Sequence, residues 1–456
     1  MDIYIEKMAA HNANAAKAPN AMIITHGCQM NARDSETLAG MLTQMGFAIT
    51  KDEDAADLVI FNTCCVRENA ENKLYGNLGE FKARKAKRRG MKLLLCGCMM
   101  QQDVVVDKIR DSYPYVDIIF GTHNIGRFPQ MLCDHYDSGG MIVDIWQDAP
   151  EIEAIENLPS LREFPFKASV NIMYGCDNFC TFCIVPYVRG RERSRLPDDI
   201  MREINALVAD DVVEIVLLGQ NVNSYSGGDM GFADLLREIA KIEGLRRIRF
   251  TSNHPKDVSD GVIAAMRDID KVCKHLHLPF QSGSSRVLEK MNRGYTKEDY
   301  LVLIGRVKAA VPGIALTTDV LVGFPGETEE DFLDTLDVVR QGRFAGAFTF
   351  LYSRRQGTKA DMMDNQVPDA VAKERFNRLL DEVNKITGEV AAQKYGAQLA
   401  VLTENVGKDG MLSGRADDNT LVHFAGSPDL IGKLVDVTIT EARTFYLIGE
   451  IIDGRI

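Results

Sequence analysis

The sequence predicts an α/β fold in three consecutive parts, and three observations lead to that prediction. Apolar runs typical of strands alternate with helical patterns from residue 20 to 136. A strand–helix unit then repeats between residues 162 and 392. From residue 395 to 456, short strands are separated by glycine- and aspartate-rich turns. We therefore expect an N-terminal α/β domain with a parallel sheet, a partial (β/α)6 barrel and a small antiparallel β-barrel.

Composition places the chain among ordinary soluble proteins. Of its 456 residues, 45% are hydrophobic and 26% are charged, which is typical of globular domains. The net charge of −12 argues against non-specific binding to nucleic acid. Residues 1–19 lack the apolar core of a signal peptide, and we expect a disordered lead there. Ten cysteines without such a signal indicate reduced thiols used as ligands, which predicts a cytoplasmic protein without a membrane span.

Cysteines follow three predicted strands of the N-terminal part. The apolar runs at 22–25, 58–61, 93–95 and 117–120 read as parallel strands, with a helix capped by Asp34 or Ser35 after the first. Ligands of open parallel sheets lie beyond the carboxyl ends of the strands. The cysteines at these ends are Cys28, Cys64 and Cys98, with Cys65 and Cys96 as competing ligands. From spacing alone, a shared metal site and unrelated buried cysteines both stay open.

A dense group of cysteines follows the first strand of the central repeat. The run G-C-D-N-F-C-T-F-C contains Cys176, Cys180 and Cys183. Soft thiolates select iron–sulfur clusters or zinc, and three of them leave one iron of a cubane cluster without a protein ligand. An iron of that kind can bind a small molecule. The alternative is a structural zinc site, although such sites usually have a fourth ligand nearby.

Polar residues gather at the same face of the predicted barrel. The strands are expected at 168–173, 213–218, 247–252, 275–280, 314–323 and 346–351. Chemistry in such barrels takes place at the carboxyl ends of the strands. The candidate ligand-binding residues there are Gln220, Asn221, Ser252, Gln281, Asp319, Gly323 and Tyr352.

Four arginines alternate directly after the cysteine run, in R-G-R-E-R-S-R. In an extended segment alternate side chains share one face. The sequence therefore places Arg189, Arg191, Arg193 and Arg195 together beside the substrate.

At these residues the chain resembles the methylthiotransferase family of radical S-adenosylmethionine (SAM) enzymes. The similarity extends from about residue 20 to the end of the chain. The motifs that carry it are H-G-C-Q-M-N-A-R-D-S-E, N-T-C-C-V-R-E-N-A, G-C-M-M-Q, G-C-D-N-F-C-T-F-C and L-L-G-Q-N-V-N-S-Y. Methionine at position 100 stands where an alanine is more usual in the family.

The resemblance implies two 4Fe-4S clusters and a role for each set of cysteines. Cys176, Cys180 and Cys183 would hold the cluster that binds SAM, and Cys28, Cys64 and Cys98 an auxiliary cluster. Cys65 and Cys96 fall on positions that the family does not use as ligands. The polar residues at the barrel face would contact SAM, and the four arginines would contact RNA. The C-terminal barrel looks like a TRAM domain, an RNA-binding module.

The implied reaction is methylthiolation of C2 of N6-isopentenyl (dimethylallyl) adenosine next to the anticodon in tRNA, through two SAM-dependent steps. The two clusters would face each other across one cavity. An electron donor of the flavodoxin or ferredoxin type and a monomeric state are expected. Sister enzymes act on threonylcarbamoyl-adenosine in tRNA or on an aspartate of a ribosomal protein, and remain a same-class alternative. A zinc-stabilised RNA-binding protein without catalysis is the alternative from a different class.

Overall fold

The computed structural model describes residues 1–65, 68–88, 90–148, 158–408 and 410–452. The chain divides into two compact units. The first comprises Met1–Glu163, Tyr174–Asp177 and Cys183–Arg193, and the second comprises Phe164–Met173, Asn178–Phe182 and Ser194–Ile456. None of the described helices is both long and apolar enough to cross a membrane.

The first unit is built on a six-stranded sheet whose paired strands are all parallel. Its strands are β1 (Asn20–Thr25), β2 (Ala48–Ile49), β3 (Leu58–Thr63), β4 (Lys92–Gly97), β5 (Ile118–Phe120) and β6 (Ile142–Asp144), in the order β2-β1-β3-β4-β5-β6. Its first five helices are α1 (Asp2–Ala13), α2 (Gln29–Gln44), α3 (Glu68–Lys87), α4 (Asp103–Ser112) and α5 (Phe128–Ser138). The predicted parallel-sheet α/β fold is confirmed, and β3 and β4 are almost wholly buried because helices cover both faces.

The expected disordered lead is wrong for residues 2–13, which form α1. Ile5 and Met8 are buried and pack in one core cluster with Leu38 and Met131. The side chain of Asn12 donates a hydrogen bond to the carbonyl of Met45 at 2.8 Å. These positions follow an i, i+3, i+7 spacing, so one narrow stripe of an otherwise polar helix is buried.

The first crossover helix begins earlier than expected. Cys28 has an extended backbone and stands directly before α2, whereas Asp34 and Ser35 lie inside the helix. The hydroxyl of Ser35 lies 2.7 Å from that of Thr25 and accepts from the amide of Asn62 at 2.9 Å. Ser35 therefore ties α2 to the sheet instead of capping it, and Cys28 stands at the very start of the helix.

The strands of the second and third parts of the chain run as follows. They are β7 (Lys167–Asn171), β8 (Met173–Tyr174), β9 (Arg193–Ser194), β10 (Glu214–Leu218), β11 (Ser226–Gly227), β12 (Met230–Gly231), β13 (Arg247–Phe250), β14 (His275–His277), β15 (Ala315–Val322), β16 (Gly346–Leu351), β17 (Gln398–Val406), β18 (Leu412–Ala416), β19 (Leu421–Phe424), β20 (Leu434–Ala442) and β21 (Leu447–Ile451). The helices are α6 (Val185–Arg189), α7 (Pro197–Ala209), α8 (Phe232–Ala240), α9 (Asp260–Asp268), α10 (Ser285–Lys290), α11 (Lys297–Ala310), α12 (Glu329–Gly342) and α13 (Asp369–Ala392).

The second unit contains the expected partial barrel. Its six main strands form two parallel sheets, β13-β10-β7 and β14-β15-β16. An isolated parallel bridge pairs Ile248 of β13 with Val272, which lies three residues before β14 begins. The helices cover a continuous apolar core that includes Ile200, Leu236 and Phe332. All six predicted strands are present, which agrees with a (β/α)6 arrangement whose active face lies at the carboxyl ends.

The C-terminal residues form a closed five-stranded barrel in the order β17-β18-β19-β21-β20. The prediction of an antiparallel barrel is right for every pair but one, because β19 and β21 are parallel. Two buried arginines of β13 fasten this barrel to the rest of the unit. Arg247 donates to the carbonyls of Ala400 and Arg415 at 2.6 and 2.8 Å, and Arg249 donates to those of Ala416 and Asp417 at 2.7 and 2.8 Å.

Candidate functional site

Three cysteines meet at one edge of the parallel sheet, as the strand ends predicted. β1, β3 and β4 are neighbours in the sheet, and Cys28, Cys64 and Cys98 follow their carboxyl ends. We call these three residues the cysteine edge. Cys64 and Cys98 are buried, and the thiols of Cys28 and Cys98 lie 3.9 and 3.6 Å from the same oxygen, Oδ1 of Asn31.

Glycines with positive φ bring the backbone close to the cysteine edge. Gly27 has a φ of +118°, and a Cβ on it would lie 2.8 Å from the sulfur of Cys64. Gly97 has a φ of +97°, and its Cβ would lie 2.4 Å from the carbonyl oxygen of Thr63. Only glycine fits such a conformation at such a distance. Each glycine directly precedes a cysteine of the edge, so the turn sets where the cysteine points.

Asn31 is the centre of the hydrogen-bond network at this edge. It is fully buried, and its amide nitrogen donates to the carbonyls of His26 and Thr63, both at 2.9 Å. The side-chain amide of Asn62 in turn donates to the backbone carbonyl of Asn31 at 2.8 Å. With both amide hydrogens used, the side-chain oxygen is fixed towards the cysteines. A fixed acceptor of this kind orients the thiols around it.

Arg189 also lies at the cysteine edge, which corrects its expected RNA contact. It is buried, and its Nε donates to the sulfur of Cys98 at 3.0 Å. One terminal nitrogen donates to Oδ1 of Asn31 at 2.9 Å and to Oδ2 of Asp34 at 2.7 Å. Burial alone would favour neutral arginine, but Asp34 and the thiolate of Cys98 outweigh it and raise the pKa of Arg189. The side chain is not available to a surface ligand.

The two competing cysteines lie in different surroundings. Cys65 shares a core cluster with Cys98. A hydrogen bond between the two thiols lowers the pKa of Cys98, and the charge of Arg189 lowers it further. Burial acts in the opposite direction but is outweighed. Cys96 packs in the cluster that contains Leu38 and Met41, and burial raises its pKa. Cys96 is therefore a packing thiol, whereas Cys65 remains close enough to compete with Cys64.

The C-x3-C-x2-C segment, residues 175–183, is called the cysteine loop here. Cys176 and Cys180 are buried and Cys183 is half-buried. The backbone of Thr181 donates to the carbonyl of Met291 at 3.0 Å, and its hydroxyl donates to that of Lys290 at 2.9 Å. The amide of Asn292 donates to the carbonyl of Asn178 at 2.9 Å. The end of α10 therefore fixes the middle of the loop.

A second buried arginine contacts the cysteine loop. Arg293 donates to the sulfur of Cys180 at 3.4 Å, to the hydroxyl of Tyr295 at 3.0 Å and to the carbonyl of Pro279 at 2.8 Å. Burial opposes its charge, but Tyr295 and Cys180 raise its pKa. The ring of His254 stands edge-on to that of Tyr295, with centroids 5.8 Å apart. Burial, with the charges of Arg293 and Lys256, lowers the pKa of His254 to about 2.

The candidate SAM-binding residues lie at the carboxyl ends of the barrel strands, and several carry polar atoms without a partner. Within the described residues, Oε1 of Gln220, Oδ1 of Asn221 and the hydroxyl of Tyr352 are buried and accept or donate no hydrogen bond. Buried polar groups are rarely left unpaired. Each of these atoms therefore lacks a partner that a polar ligand could supply.

The other four candidates have partners or strained backbones. Ser252 and Gln281 have positive φ values of 63° and 66°, a conformation that clusters at functional sites in residues other than glycine. Asp319 lies 3.4 Å from Nε2 of His277. The N–H of Gly323 lies 3.2 Å from each carboxylate oxygen of Glu327 and is therefore already engaged.

The four arginines do not share one face, so the predicted arrangement is wrong. Arg189 ends the short helix α6, the chain turns at Gly190, and Arg193 begins β9. Arg195 is buried and bound to Glu203 and to the carbonyl of Asn171. Arg191 is 70% exposed in its side chain and pairs with Asp177 at 3.1 Å. Arg191 and the half-buried Arg193 are the two that can still reach a ligand.

The chemistry of the donors fits iron–sulfur clusters at both places. Each place offers three thiols and an arginine N–H directed at one sulfur, and such hydrogen bonds are typical around cluster sulfurs. Among the described residues, no three His, Cys, Asp or Glu side chains are gathered as ligands of one metal ion. A cubane cluster distributes its ligands over different irons, so this spacing is compatible with it.

Sequence reasoning did not identify Asn31, Asp34 and Arg293 as site residues. Asn31 and Asp34 follow Cys28 at steps of three residues along α2, so all three lie near one face of the helix. This three-residue spacing is visible in H-G-C-Q-M-N-A-R-D and could have identified Asn31 and Asp34 as neighbours of Cys28. Nothing in the local sequence marks Arg293, because its contact with Cys180 joins residues 113 positions apart.

Family models match three parts of the chain. The Radical SAM superfamily matches residues 170–339, an uncharacterised family termed UPF0004 matches residues 20–121, and the TRAM domain matches residues 393–452. Together they cover most of the parallel sheet and of the partial barrel, and all strands of the closed barrel.

Several near-full-length relatives carry one name, tRNA-2-methylthio-N(6)-dimethylallyladenosine synthase. The protein of Alkaliphilus oremlandii is 52% identical over 96% of this chain and 94% of its own length. That of Acetivibrio thermocellus is 54% identical over 94% and 90%, and that of Clostridium beijerinckii 50% identical over 99% and 100%. Among solved structures, the radical S-adenosylmethionine methyltransferase TsrM of Kitasatospora setae, with cobalamin and a [4Fe-4S] cluster bound, matches with a TM-score of 0.55. It is 14% identical over 84% of this chain and 77% of that chain, a likeness that concerns the fold.

Proposed function

The chain belongs to the family of tRNA-2-methylthio-N(6)-dimethylallyladenosine synthases, which are radical SAM methylthiotransferases, and from this premise we propose how its residues serve the reaction. The enzyme methylthiolates C2 of N6-isopentenyl (dimethylallyl) adenosine next to the anticodon of tRNA. Identity of about half over nearly the whole length of both chains is the observation that carries this function. None of the relatives reported above is named for the sister substrates, threonylcarbamoyl-adenosine or a ribosomal aspartate.

The hydrogen on C2 of adenine is not acidic enough for a side-chain base to remove, so a cofactor must carry the step. When bound, SAM and the two 4Fe-4S clusters supply the electron, the hydrogen abstraction, the sulfur and the methyl group. The roles of the chain's own residues are to hold these groups, to orient them and to exclude water.

The cysteine loop is proposed to hold the cluster that binds SAM, through Cys176, Cys180 and Cys183. Arg293 supports this role because it donates a buried hydrogen bond to the Cys180 sulfur. The free polar atoms of Gln220, Asn221 and Tyr352 are proposed SAM contacts. Ser252, Gln281, Asp319 and Gly323 stay in the proposed site at the same end of the barrel strands.

The cysteine edge is proposed to hold the auxiliary cluster, through Cys28, Cys64 and Cys98. The convergence of two of these thiols on Asn31 and the approach of Gly27 to Cys64 support the assignment. Asn31 and Arg189 orient the ligands from the protein side. Cys65 is the cysteine whose position competes most directly with Cys64.

Recognition of tRNA is proposed to use Arg191, Arg193 and the TRAM barrel. RNA loops are bound by arginines and by aromatic rings that stack on unpaired bases. The barrel offers such a ring in Phe445, which is 69% exposed, and Tyr395 at its start is 70% exposed. We further propose a monomer that works in the cytoplasm with a flavodoxin or ferredoxin as electron donor.

Mass spectrometry of tRNA nucleosides tests this function. A strain without the gene should accumulate isopentenyl-adenosine and lose its 2-methylthio derivative, while methylthiolated threonylcarbamoyl-adenosine is unchanged. The wild-type gene should restore the product, and the Cys180→Ala gene should not. Persistence of methylthiolated isopentenyl-adenosine in the deletion strain would contradict the function. A purified protein that is colourless and zinc-loaded would support the non-catalytic RNA-binding alternative.

A further inference from the structure

Arg189 is the last residue of α6, a helix that begins two residues after Cys183 of the cysteine loop. All its described polar partners belong to the first unit: the sulfur of Cys98, Oδ1 of Asn31 and Oδ2 of Asp34. It is the point at which the segment after the cysteine loop contacts the cysteine edge.

The position of Arg189 relative to Cys98 is fixed by packing. Ile184 and Val188 are buried in the same apolar cluster as Cys98 and Met99. The hydroxyl of Thr122 donates to the carbonyl of Val188 at 3.1 Å. A residue so anchored cannot move its guanidinium far without disturbing the core, because packed interiors adjust little.

The three hydrogen bonds of Arg189 come from two nitrogens, which serve different tasks. One terminal nitrogen pairs with Asp34, and this ion pair offsets most of the cost of burying the cation. With its charge already balanced, the arginine still directs Nε at the sulfur of Cys98. The planar fork of arginine permits both contacts at once, which lysine could not reproduce.

We propose that Arg189 is a positioning residue for the auxiliary cluster, orienting Cys98 and raising the cluster's reduction potential through its N–H bond to the ligand sulfur. The inference rests on the proposed function, since it takes Cys98 to be a cluster ligand. Reduction adds negative charge to a cluster, and a nearby N–H donor stabilises that charge. Asp34 acts in the opposite direction, because its negative charge opposes reduction.

The test measures the auxiliary cluster alone, in the full-length chain with Cys176, Cys180 and Cys183 changed to Ala. The protein is reconstituted anaerobically with iron and sulfide, and its reduction is followed by EPR in a redox titration. On this background we compare Arg189→Met, Asp34→Asn and the matched control Arg110→Gln. Arg110 is an exposed arginine of α4 paired only with Asp107 among the described residues.

Arg189→Met should lower the ratio of reduced to oxidised cluster at a fixed potential by about tenfold, which is about 59 mV for one electron. Asp34→Asn should raise that ratio, and Arg110→Gln should leave it unchanged. Opposite shifts from two neighbouring residues would not follow from a general loosening of the site. If Arg189→Met cannot assemble the cluster, its positioning role is supported, and Asp34→Asn still decides the effect on potential.

Two results would overturn the inference while leaving the function intact: an unchanged potential in Arg189→Met, or shifts of the same sign in Arg189→Met and Asp34→Asn. A background protein that binds no cluster at all would instead contradict the proposed ligands at the cysteine edge. The two failures are therefore distinguishable.

Discussion

At both the cysteine edge and the cysteine loop, a buried arginine donates a hydrogen bond to one cysteine sulfur, yet the charges around the two arginines differ. Arg189 is 2.7 Å from the carboxylate of Asp34. Among the described residues, the guanidinium of Arg293 donates hydrogen bonds to the Pro279 carbonyl, the Tyr295 hydroxyl and the Cys180 sulfur. A buried cation requires a counter-charge. The buried cation at the edge is paired with a carboxylate, whereas the described side-chain hydrogen-bond partners of Arg293 include none.

Each arginine also has a neutral histidine in its neighbourhood. Burial, with the charges of Arg189 and Arg193, lowers the pKa of His123 to about 4. Burial, with Arg293 and Lys256, lowers that of His254 to about 2. Burial is the largest cause of both shifts, and the neighbouring arginine adds to it in each case. The difference between the two regions therefore lies in the carboxylate of Asp34, and it predicts that the cysteine loop depends more on its cluster for electrostatic balance than the cysteine edge does.

The largest expected difference between the two regions is in the chemical steps that they support. Cys180→Ala should abolish formation of 5′-deoxyadenosine, because the cluster that reduces SAM loses a ligand. Cys98→Ala should leave SAM cleavage in place and stop methylthiolation. Chromatography of 5′-deoxyadenosine beside nucleoside mass spectrometry measures both steps. SAM cleavage that persists in Cys180→Ala would remove the distinction between the regions.

Iron content sharpens the ligand set at the cysteine edge. Cys64→Ala should lose about half of the bound iron, since one of two clusters lacks a ligand. Cys96→Ala should keep all of it, because that thiol packs under α2. Cys65→Ala should keep its iron as well, although its thiol touches Cys98. Loss of iron in Cys65→Ala with retention in Cys64→Ala would reverse the two assignments.

The difference in charge balance predicts unequal costs of substitution in the metal-free protein. Asp34→Ala removes the carboxylate partner of the buried Arg189, and should lower the free energy of unfolding by about 3 kcal/mol. Tyr295→Phe removes one neutral hydrogen-bond partner of Arg293 and should cost about 1 kcal/mol. Urea denaturation followed by circular dichroism gives both values. Equal losses would indicate that Asp34 does not balance the charge at the edge.

The smallest effect is the pH dependence of stability from the two histidines. The pKa values of His123 and His254, about 4 and about 2, lie below the ordinary value of 6.5, so below pH 6.5 the unfolded chain binds more protons than the folded one. The stability that each histidine contributes by staying neutral in the folded chain is fully present above pH 6.5. It is lost as pH falls towards 4 for His123 and towards 2 for His254. Each accounts for up to about 1.4 kcal/mol per pH unit.

Substitution of each histidine by Gln checks this dependence. The loss of stability between pH 6.5 and 5.5 should be smaller by about 1 kcal/mol in either variant. Unfolding curves of His123→Gln and His254→Gln that fall as steeply as the wild-type curve would show that these histidines are not held neutral.

Much of the fold could be predicted from the sequence because local patterns of apolar residues mark its strands and helices. The strands before Cys28, Cys64 and Cys98 are short apolar runs, and the rule for parallel sheets places their ends together. The six barrel strands were equally visible. Helix α1 was not expected, because only a stripe through Ile5 and Met8 is buried in an otherwise polar segment.

The surroundings of the cysteines were less accessible to prediction. R-G-R-E-R-S-R reads as an exposed basic loop, and its first and last arginines are buried instead. Arg189 is buried because it pairs with Asp34, 155 positions earlier in the chain. The alternating pattern is broken by the end of α6 and the turn at Gly190. Burial of a charge depends on such distant partners, which local sequence does not reveal.

The most direct test of two separate clusters is a count of iron and sulfide in the anaerobically purified protein. The wild-type chain should hold about eight irons and eight sulfides, four of each per cluster. Replacement of Cys28, Cys64 and Cys98 by Ala should halve both numbers, and so should replacement of Cys176, Cys180 and Cys183. A wild-type protein with about four irons, or one in which either triple replacement removes all of the iron, would contradict two independent sites.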